Sequence, residues 1–173
     1  SGSGQRAALS HTGSLAGSDQ IYDAAFARAG VIRADSVEDL LDVSKGLCLL
    51  PPMGGNRLGI VTNSGGSGVM AADKCDQSGL TVPAPSPALK ERLRSLLPGY
   101  AGLANPIDVT VEGSPEQYAL VAKTMLDSGE YDAVLVIYVG TPYLAAMPYA
   151  AAIADMAAAS GKPVVCSFEV GSD

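Results

Sequence analysis

Tryptophan is absent from this chain of 173 residues, phenylalanine occurs only twice and cysteine three times. The absence of tryptophan and the low number of phenylalanines weaken the case for a flavin-binding domain, in which aromatic rings stack on the cofactor. The three cysteines, Cys48, Cys75 and Cys166, are far apart and have no Cys-x-x-Cys spacing, which argues against a disulfide framework and a zinc site. We therefore expect reduced, mostly buried thiols, no bound metal and a cytoplasmic protein.

Positive charge is also scarce, because 11 lysines and arginines face 18 acidic residues and give a net charge of −7. The basic residues form no stripe along the sequence, so a nucleic acid is not an expected partner. An anionic ligand would have to be held by backbone amides. No apolar run is long enough to span a bilayer, and the first residues resemble neither a signal peptide nor a transit peptide, so we expect no membrane partner.

Helical and strand patterns alternate along most of the chain. Apolar spacing predicts helices over 18–29, 36–50, 69–79, 87–97, 115–128 and 147–160. Short apolar runs rich in β-branched residues predict strands over 58–62, 80–83, 132–139 and 162–168. This order predicts an α/β fold with a doubly wound, mainly parallel, flavodoxin-like sheet. The sheet would have about four strands, fewer than the usual five, so we expect a piece of a larger polypeptide.

A glycine-rich loop follows the first predicted strand and opens the next helix. Its residues are Asn63, Ser64, Gly65, Gly66, Ser67 and Gly68. Glycines allow a sharp turn there, so that the amides of the first helical turn point at one spot where the helix dipole favours an anion. The two serines could add hydroxyl donors. No lysine follows the last glycine and the full Gly-x-Gly-x-x-Gly pattern is missing, so a nucleotide site is weakly supported and a plain tight turn stays open.

The single histidine, His11, lies among small residues in Ser10-His11-Thr12-Gly13, in a loop before the first helix. Imidazole can accept and release a group near neutral pH, and a phosphoryl group on it would need donors for its oxygens and a carboxylate to orient the ring. No acidic residue adjoins His11, so we expect that carboxylate upstream of this chain. Taken alone, a histidine in a loop is as readily a surface residue or a helix cap.

Four ordered motifs together resemble one known family. They are Ser10-His11-Thr12-Gly13 with Ala16-Gly17-Ser18-Asp19, Tyr22 to Phe26 with Ala29 to Arg33, Ile60 to Gly68, and Asn105-Pro106-Ile107-Asp108-Val109. They resemble the corresponding segments of the NDP-forming acyl-CoA synthetases, relatives of succinyl-CoA synthetase, over nearly the whole chain. The resemblance implies that residues 1–30 are the phosphohistidine loop and helix at the tail of a preceding domain. Residues 31–173 would then form a flavodoxin-like ligase domain.

The resemblance also implies an activity. In this family acyl-CoA, ADP and phosphate are interconverted with a carboxylic acid, CoA and ATP, and a histidine carries the phosphoryl group. By resemblance that residue is His11, and the loop 63–68 starts one of two helices that hold its phosphate. The full-length enzyme would need CoA, ATP or ADP, phosphate and magnesium, a CoA-binding domain, an ATP-grasp domain or subunit, and an oligomeric assembly. None of these ligands is expected to bind this fragment alone, which should be inactive.

Two further residues are candidates for lining the site. Asparagine before proline favours an extended or turn conformation, which could bring Asp108 to the ends of the strands. Thr141 follows the longest predicted strand at its carboxyl end, where open α/β sheets bind ligands. A turn-forming role for Asp108 and a solvent loop at Thr141 stay open.

Two other functions also stay open. Some relatives are fused to a protein acetyltransferase and use the synthetase-like region to sense a ligand without catalysis, although the retained His11 favours catalysis. An unrelated flavodoxin-like cofactor or signalling domain is the other alternative, but the sequence lacks a receiver-type acidic cluster after the first strand.

Overall fold

The computed structural model describes residues 19–140 and 145–170. The chain divides into two compact units, Ser1–Leu49 and Leu50–Asp173. This division groups the first two helices together, whereas the sequence analysis placed a domain boundary between them. The assignment of residues 1–30 to a preceding domain stays a prediction. No helix within the described ranges is long and apolar enough to cross a membrane.

The first unit contains two described helices, α1 (Asp19–Ala29) and α2 (Val37–Leu49). Ser36 caps α2, because its hydroxyl oxygen accepts the backbone N–H of Asp39 at 3.0 Å. Neither helix contains a buried residue. The apolar side chains of these amphipathic segments, such as Leu40 and Leu47, are therefore exposed to solvent.

The second unit is built on a four-stranded parallel sheet in the order β2-β1-β3-β4. The strands are β1 (Leu58–Thr62), β2 (Ile107–Asp108), β3 (Ala133–Val139) and β4 (Val164–Glu169). Its helices are α3 (Gly65–Gln77), α4 (Pro87–Arg94), α5 (Pro115–Asp127) and α6 (Met147–Ala158). The predicted fold class is confirmed. The chain passes from β1 to β2 on one side of β1 and then from β2 to β3 on the other side. The strand order therefore reverses between β1 and β3, and a switch point of this kind is where doubly wound folds bind ligands.

One predicted strand is wrong, although the count of four holds within the described residues. Residues 80–83 contribute only a single bridge, between Thr81 and Arg57, and the fourth strand is the short β2. The short apolar run over 80–83 has the pattern of a β-strand. It does not form one because another group already bonds the edge of β1 with which it would pair.

Asn105 fills that edge. Its side-chain amide donates to the backbone oxygens of Leu58 and Pro83 at 2.9 and 3.1 Å, and its oxygen accepts the N–H of Ile60 at 2.8 Å. A side chain thus replaces a strand in the middle of this edge, and β2 pairs only with the last two residues of β1. The cis peptide bond to Pro106 follows directly.

Two apolar layers cover the sheet, one on each face. Alternate residues of β3 point to opposite sides, so Tyr138 packs against α5 and α6 while Ile137 packs with Cys75 of α3. This explains why β3 is apolar throughout, as a strand covered on both faces must be. The expectation of mostly buried thiols is wrong, because Cys48 and Cys166 are exposed and only Cys75 is buried.

Three buried tyrosines lie where α5 and α6 begin. The rings of Tyr138 and Tyr149 stack with centroids 4.3 Å apart, and Tyr118 meets the ring of Tyr149 edge to face at 5.5 Å. Tyr149 donates its hydroxyl to the carbonyl of Gly113 at 3.0 Å, whereas the hydroxyls of Tyr118 and Tyr138 find no partner among the described residues. Burial, with smaller contributions from the other two tyrosines and Asp108, raises the pKa of Tyr118.

An ion pair ties together the amino ends of the two central strands. Asp132, immediately before β3, accepts three hydrogen bonds from Arg57, from the backbone N–H at 3.0 Å, Nε at 2.9 Å and Nη2 at 2.7 Å. These bonds lower the pKa of Asp132 to about 2, and the largest contribution comes from the guanidinium group of Arg57.

The tyrosine cluster gives a first prediction. We expect Tyr149→Phe to lower the free energy of unfolding by about 1 kcal/mol, because the buried carbonyl of Gly113 loses its donor. Tyr118→Phe should change it by no more than about 0.5 kcal/mol, or raise it, because no bond is lost and a buried hydroxyl is removed. Urea unfolding of both variants at pH 7 checks this, and equal losses would contradict it.

The Arg57–Asp132 pair gives a second prediction. A carboxyl group with a folded pKa of about 2 and an unfolded value of about 3.9 stabilises the fold above pH ~4 and loses that contribution as the pH falls toward 2. Asp132→Asn should therefore destabilise the protein at pH 7, and the difference from wild type should shrink below pH ~4. Urea titrations across this range measure it, with the exposed Asp127→Asn as the matched control. A difference independent of pH would refute the assignment.

Candidate functional site

The candidate site is the carboxyl edge of the sheet around the start of α3. Ser64 is the N-cap of this helix, and its backbone is extended, with φ −132° and ψ 109°. Its side chain is aimed at the N–H of Ser67 at 3.5 Å, and its carbonyl accepts the N–H of Gly68 at 3.0 Å. Thr62 holds the preceding turn, because its hydroxyl oxygen accepts the N–H of Ser64 at 3.0 Å. The helix therefore begins at a fixed point directly after β1.

Two backbone amides at this point are open. Gly65 and Gly66 form the first helical positions and are exposed, and their N–H groups have no hydrogen-bond partner among the described residues. A Cβ atom at either residue would meet nothing within 4 Å. Unsatisfied amides of a first helical turn, together with the positive end of the helix dipole, form an arrangement that suits an anion.

Gly68 has a different role from the other two glycines. It is buried, and a Cβ atom there would lie 3.1 Å from Thr62 Cγ2 and 3.2 Å from Pro106 Cβ. Its missing side chain lets α3 pack closely on the residues that precede β2. Gly68 therefore sets how α3 sits on the sheet, while Gly65 and Gly66 leave its N-terminus accessible.

Asn63 holds the loop to the neighbouring strand. Its Nδ2 donates to the carbonyl of Val139 at 2.9 Å, and its Oδ1 accepts the N–H of Val139 at the same distance. Both polar ends of this side chain are therefore used by the end of β3. Asn63 positions the turn, and the backbone amides next to it remain available.

Asp108 is the last residue of β2, at the carboxyl edge of the sheet. It pairs with Thr62 in the register of β1 and β2, and its Oδ1 accepts the N–H of Thr110 at 2.8 Å. Thr110 has a φ of 67°, which is rare for a β-branched residue. The bond from Asp108 therefore holds the turn that follows β2.

Sequence reasoning missed Glu169, which also lies at this edge. It ends β4, and its Oε2 accepts the hydroxyl of Ser67 at 3.1 Å. The position of Glu169 at the end of a predicted parallel strand could have indicated it, because the carboxyl ends of such strands meet at one edge of the sheet. The predicted strand ends at Phe168, one residue before it. The sequence pattern indicates Asn105 only as part of a motif and does not predict its bonds to the edge of β1.

The structure brings Asn63, Ser64, Gly65, Gly66, Ser67, Gly68 and Asp108 together at one edge. His11 and Thr141 lie outside the described residues. Within 19–140 and 145–170, no group of three or more His, Cys, Asp and Glu residues could hold a metal ion.

Two cavities lie away from the open amides. A cavity of about 280 Å³ is lined by residues that include Tyr100, Thr110 and Glu112. A larger groove of about 750 Å³ runs between α5 and α6 and is lined by apolar residues such as Leu120 and Met156. Neither is lined by a residue of the loop 63–68.

Comparison with known protein families accounts for both units. Residues 1–47 match the model of the succinyl-CoA ligase like flavodoxin domain, and residues 58–172 match the model of the Ligase-CoA domain.

Two of the relatives found by sequence comparison are ADP-forming acetate–CoA ligases. The chain is 38% identical to acetate–CoA ligase [ADP-forming] II subunit alpha of Pyrococcus furiosus, over 98% of this chain and 38% of the relative. It is 39% identical to acetate–CoA ligase [ADP-forming] I of Archaeoglobus fulgidus, over 98% of this chain and 24% of that protein. The chain thus spans well under half the length of these relatives.

Two solved structures also resemble this chain in sequence and in fold. The dinucleotide forming acetyl-coenzyme A synthetase 1 of Ca. Korarchaeum cryptofilum, in complex with phosphate and ADP, superposes with a TM-score of 0.87 at 36% identity, over 97% of this chain and 37% of that one. PH0766 of Pyrococcus horikoshii gives a TM-score of 0.81 at 32% identity, over 90% of this chain and 37% of that one. The chain therefore belongs to the ADP-forming acetyl-CoA synthetase family, as part of a succinyl-CoA ligase-like flavodoxin domain followed by a Ligase-CoA domain.

Proposed function

We propose that this chain is the phosphoryl-transfer part of an ADP-forming acyl-CoA synthetase, with His11 as the carrier. The observation behind the proposal is the pair of open amides at Gly65 and Gly66, at the edge where the fold binds ligands. The Korarchaeum relative, whose structure holds phosphate and ADP, supports an anionic ligand of this kind.

The proposed reaction has three steps, which pass a phosphoryl group from an acyl phosphate through His11 to ADP. Phosphate displaces CoA from acyl-CoA, giving an acyl phosphate. A neutral nitrogen of His11 then attacks the phosphorus, the bond to the acyl oxygen breaks, and the carboxylic acid leaves. ADP finally takes the phosphoryl group from the imidazole, giving ATP and free histidine. The acid, CoA and nucleotide sites belong to further domains, which we expect to be a CoA-binding domain and an ATP-grasp domain or subunit, where Mg²⁺ would accompany the nucleotide.

In these reaction steps, the described part of this chain would stabilise the charge of the transferred phosphoryl group. The phosphoryl group carries charge on its equatorial oxygens as it moves between partners, and fixed N–H donors stabilise that charge without having to reorient. The amides of Gly65 and Gly66 are donors of this kind, since Asn63 and Ser64 fix the start of α3. Asp108 and Thr141 are proposed to line the same site.

The carrier can be tested directly. We expect the full-length protein, treated with ATP and Mg²⁺, to take up an acid-labile phosphoryl label, and His11→Asn to take up none. The label is counted after gel filtration at neutral pH and again after acid treatment. Equal label in both proteins would contradict a carrier role and favour the ligand-sensing alternative.

The helix N-terminus can be tested with a matched pair of variants. Gly65→Pro removes one amide but suits a first helical position after the extended Ser64, so the fold should be kept. Loss of a hydrogen bond to a charged group predicts about a 10- to 100-fold lower kcat/KM for phosphate. Gly65→Ala keeps the amide, and its methyl group meets nothing within 4 Å.

Gly65→Ala should therefore behave like wild type, and thermal unfolding should be similar for all three proteins. Activity of Gly65→Pro equal to that of Gly65→Ala would show that this amide takes no part in catalysis.

A further inference from the structure

An acidic side chain lies at the N-terminus of α3, where the proposed function places a phosphate. Glu169 reaches from the end of β4 past the end of β3, and its Oε2 accepts the hydroxyl of Ser67 at 3.1 Å. Ser67 is the third residue of α3 and directly follows the two open amides. The carboxylate therefore lies within the first turn of the helix that is proposed to hold phosphate.

No cation offsets this charge within the described part of the chain. The ion pairs found there involve other acidic residues, and Glu169 belongs to none of them. Its neighbours at the helix are the Ser67 hydroxyl and the partial positive charge of the first turn. A carboxylate at a helix N-terminus is stabilised by that partial charge in the same way as a bound anion is.

Two physical effects follow for a phosphate at the same place. The charge of Glu169 repels it, because like charges a few ångströms apart are unfavourable even in a well-solvated site. In addition, the Ser67 hydroxyl has one proton, and while this proton is donated to Glu169 it is not available to a phosphate oxygen. Both effects weaken phosphate binding, and neither touches the amides of Gly65 and Gly66.

We propose that Glu169 is a resident anion that limits the affinity of the α3 N-terminus for phosphate, so that the phosphoryl group is held briefly and released. This inference rests on the proposed function, because it assigns Glu169 to the same site. A site that passes a group between two partners releases it faster when the group is bound less tightly. Glu169 is thus a positioning and affinity-setting residue, and the reacting atoms belong to others.

The test is a titration with inorganic phosphate. It uses the full-length protein carrying His11→Asn, so that phosphate binding is measured without phosphorylation. Isothermal titration calorimetry gives the dissociation constant for phosphate. We expect Glu169→Gln to bind phosphate about three- to tenfold more tightly, because it keeps the shape of the side chain and removes one charge. Glu169→Asp keeps the charge and should stay closer to the unchanged protein than to Glu169→Gln.

Glu91→Gln is the matched control. Glu91 is exposed on α4 and pairs with Arg94, so the substitution changes net charge equally at a distance from α3. It should leave the phosphate dissociation constant within twofold. Equal or weaker binding by Glu169→Gln, or no measurable binding in either protein, would overturn the proposal.

A second measurement uses the protein with His11 intact. The labelled protein should transfer its phosphoryl group to ADP more slowly when it carries Glu169→Gln, because the group is held more tightly. The two hypotheses fail separately. If wild type takes up no label, the carrier role of His11 fails, while the titration in the His11→Asn protein still decides the role of Glu169.

Discussion

The arrangement at the carboxyl edge depends on one side chain, that of Asn63. By bonding both the N–H and the carbonyl of Val139, it fastens the turn after β1 to the last residue of β3. An amide side chain can do this because it has a donor and an acceptor side by side, matching a peptide group. The direction of α3, and with it the direction of the open amides, follows from this pairing.

The opposite edge of β1 uses a similar device. Asn105 replaces a strand along the middle of β1, which allows Pro106 to come close to Gly68 and β2 to begin only where β1 ends. Asparagine side chains thus imitate backbone on both sides of the central strand. This leaves room at the switch point without leaving buried peptide groups unpaired, which would be costly.

The sequence was sufficient for features that depend on local pattern. The strand at β3, the helix α6 after it and the glycine-rich turn before α3 follow from apolar runs, prolines and glycines. It failed where a side chain took over a backbone role, because no pattern indicates that Asn105 will occupy the edge claimed by residues 80–83. It also missed Glu169, whose neighbour Ser67 is remote in sequence and is reached only through the order of the strands.

The tyrosine cluster has a spectroscopic consequence. With 7 tyrosines, 2 phenylalanines and no tryptophan, the ultraviolet emission of this chain is dominated by tyrosine. Three of those rings are packed together under the first turns of α5 and α6, one pair stacked at 4.3 Å, so they exchange excitation energy and share their quenching. These residues therefore carry a built-in optical reporter near the carboxyl end of β3, and loosening of the packing around the three rings will change the light emission of this chain without any added dye.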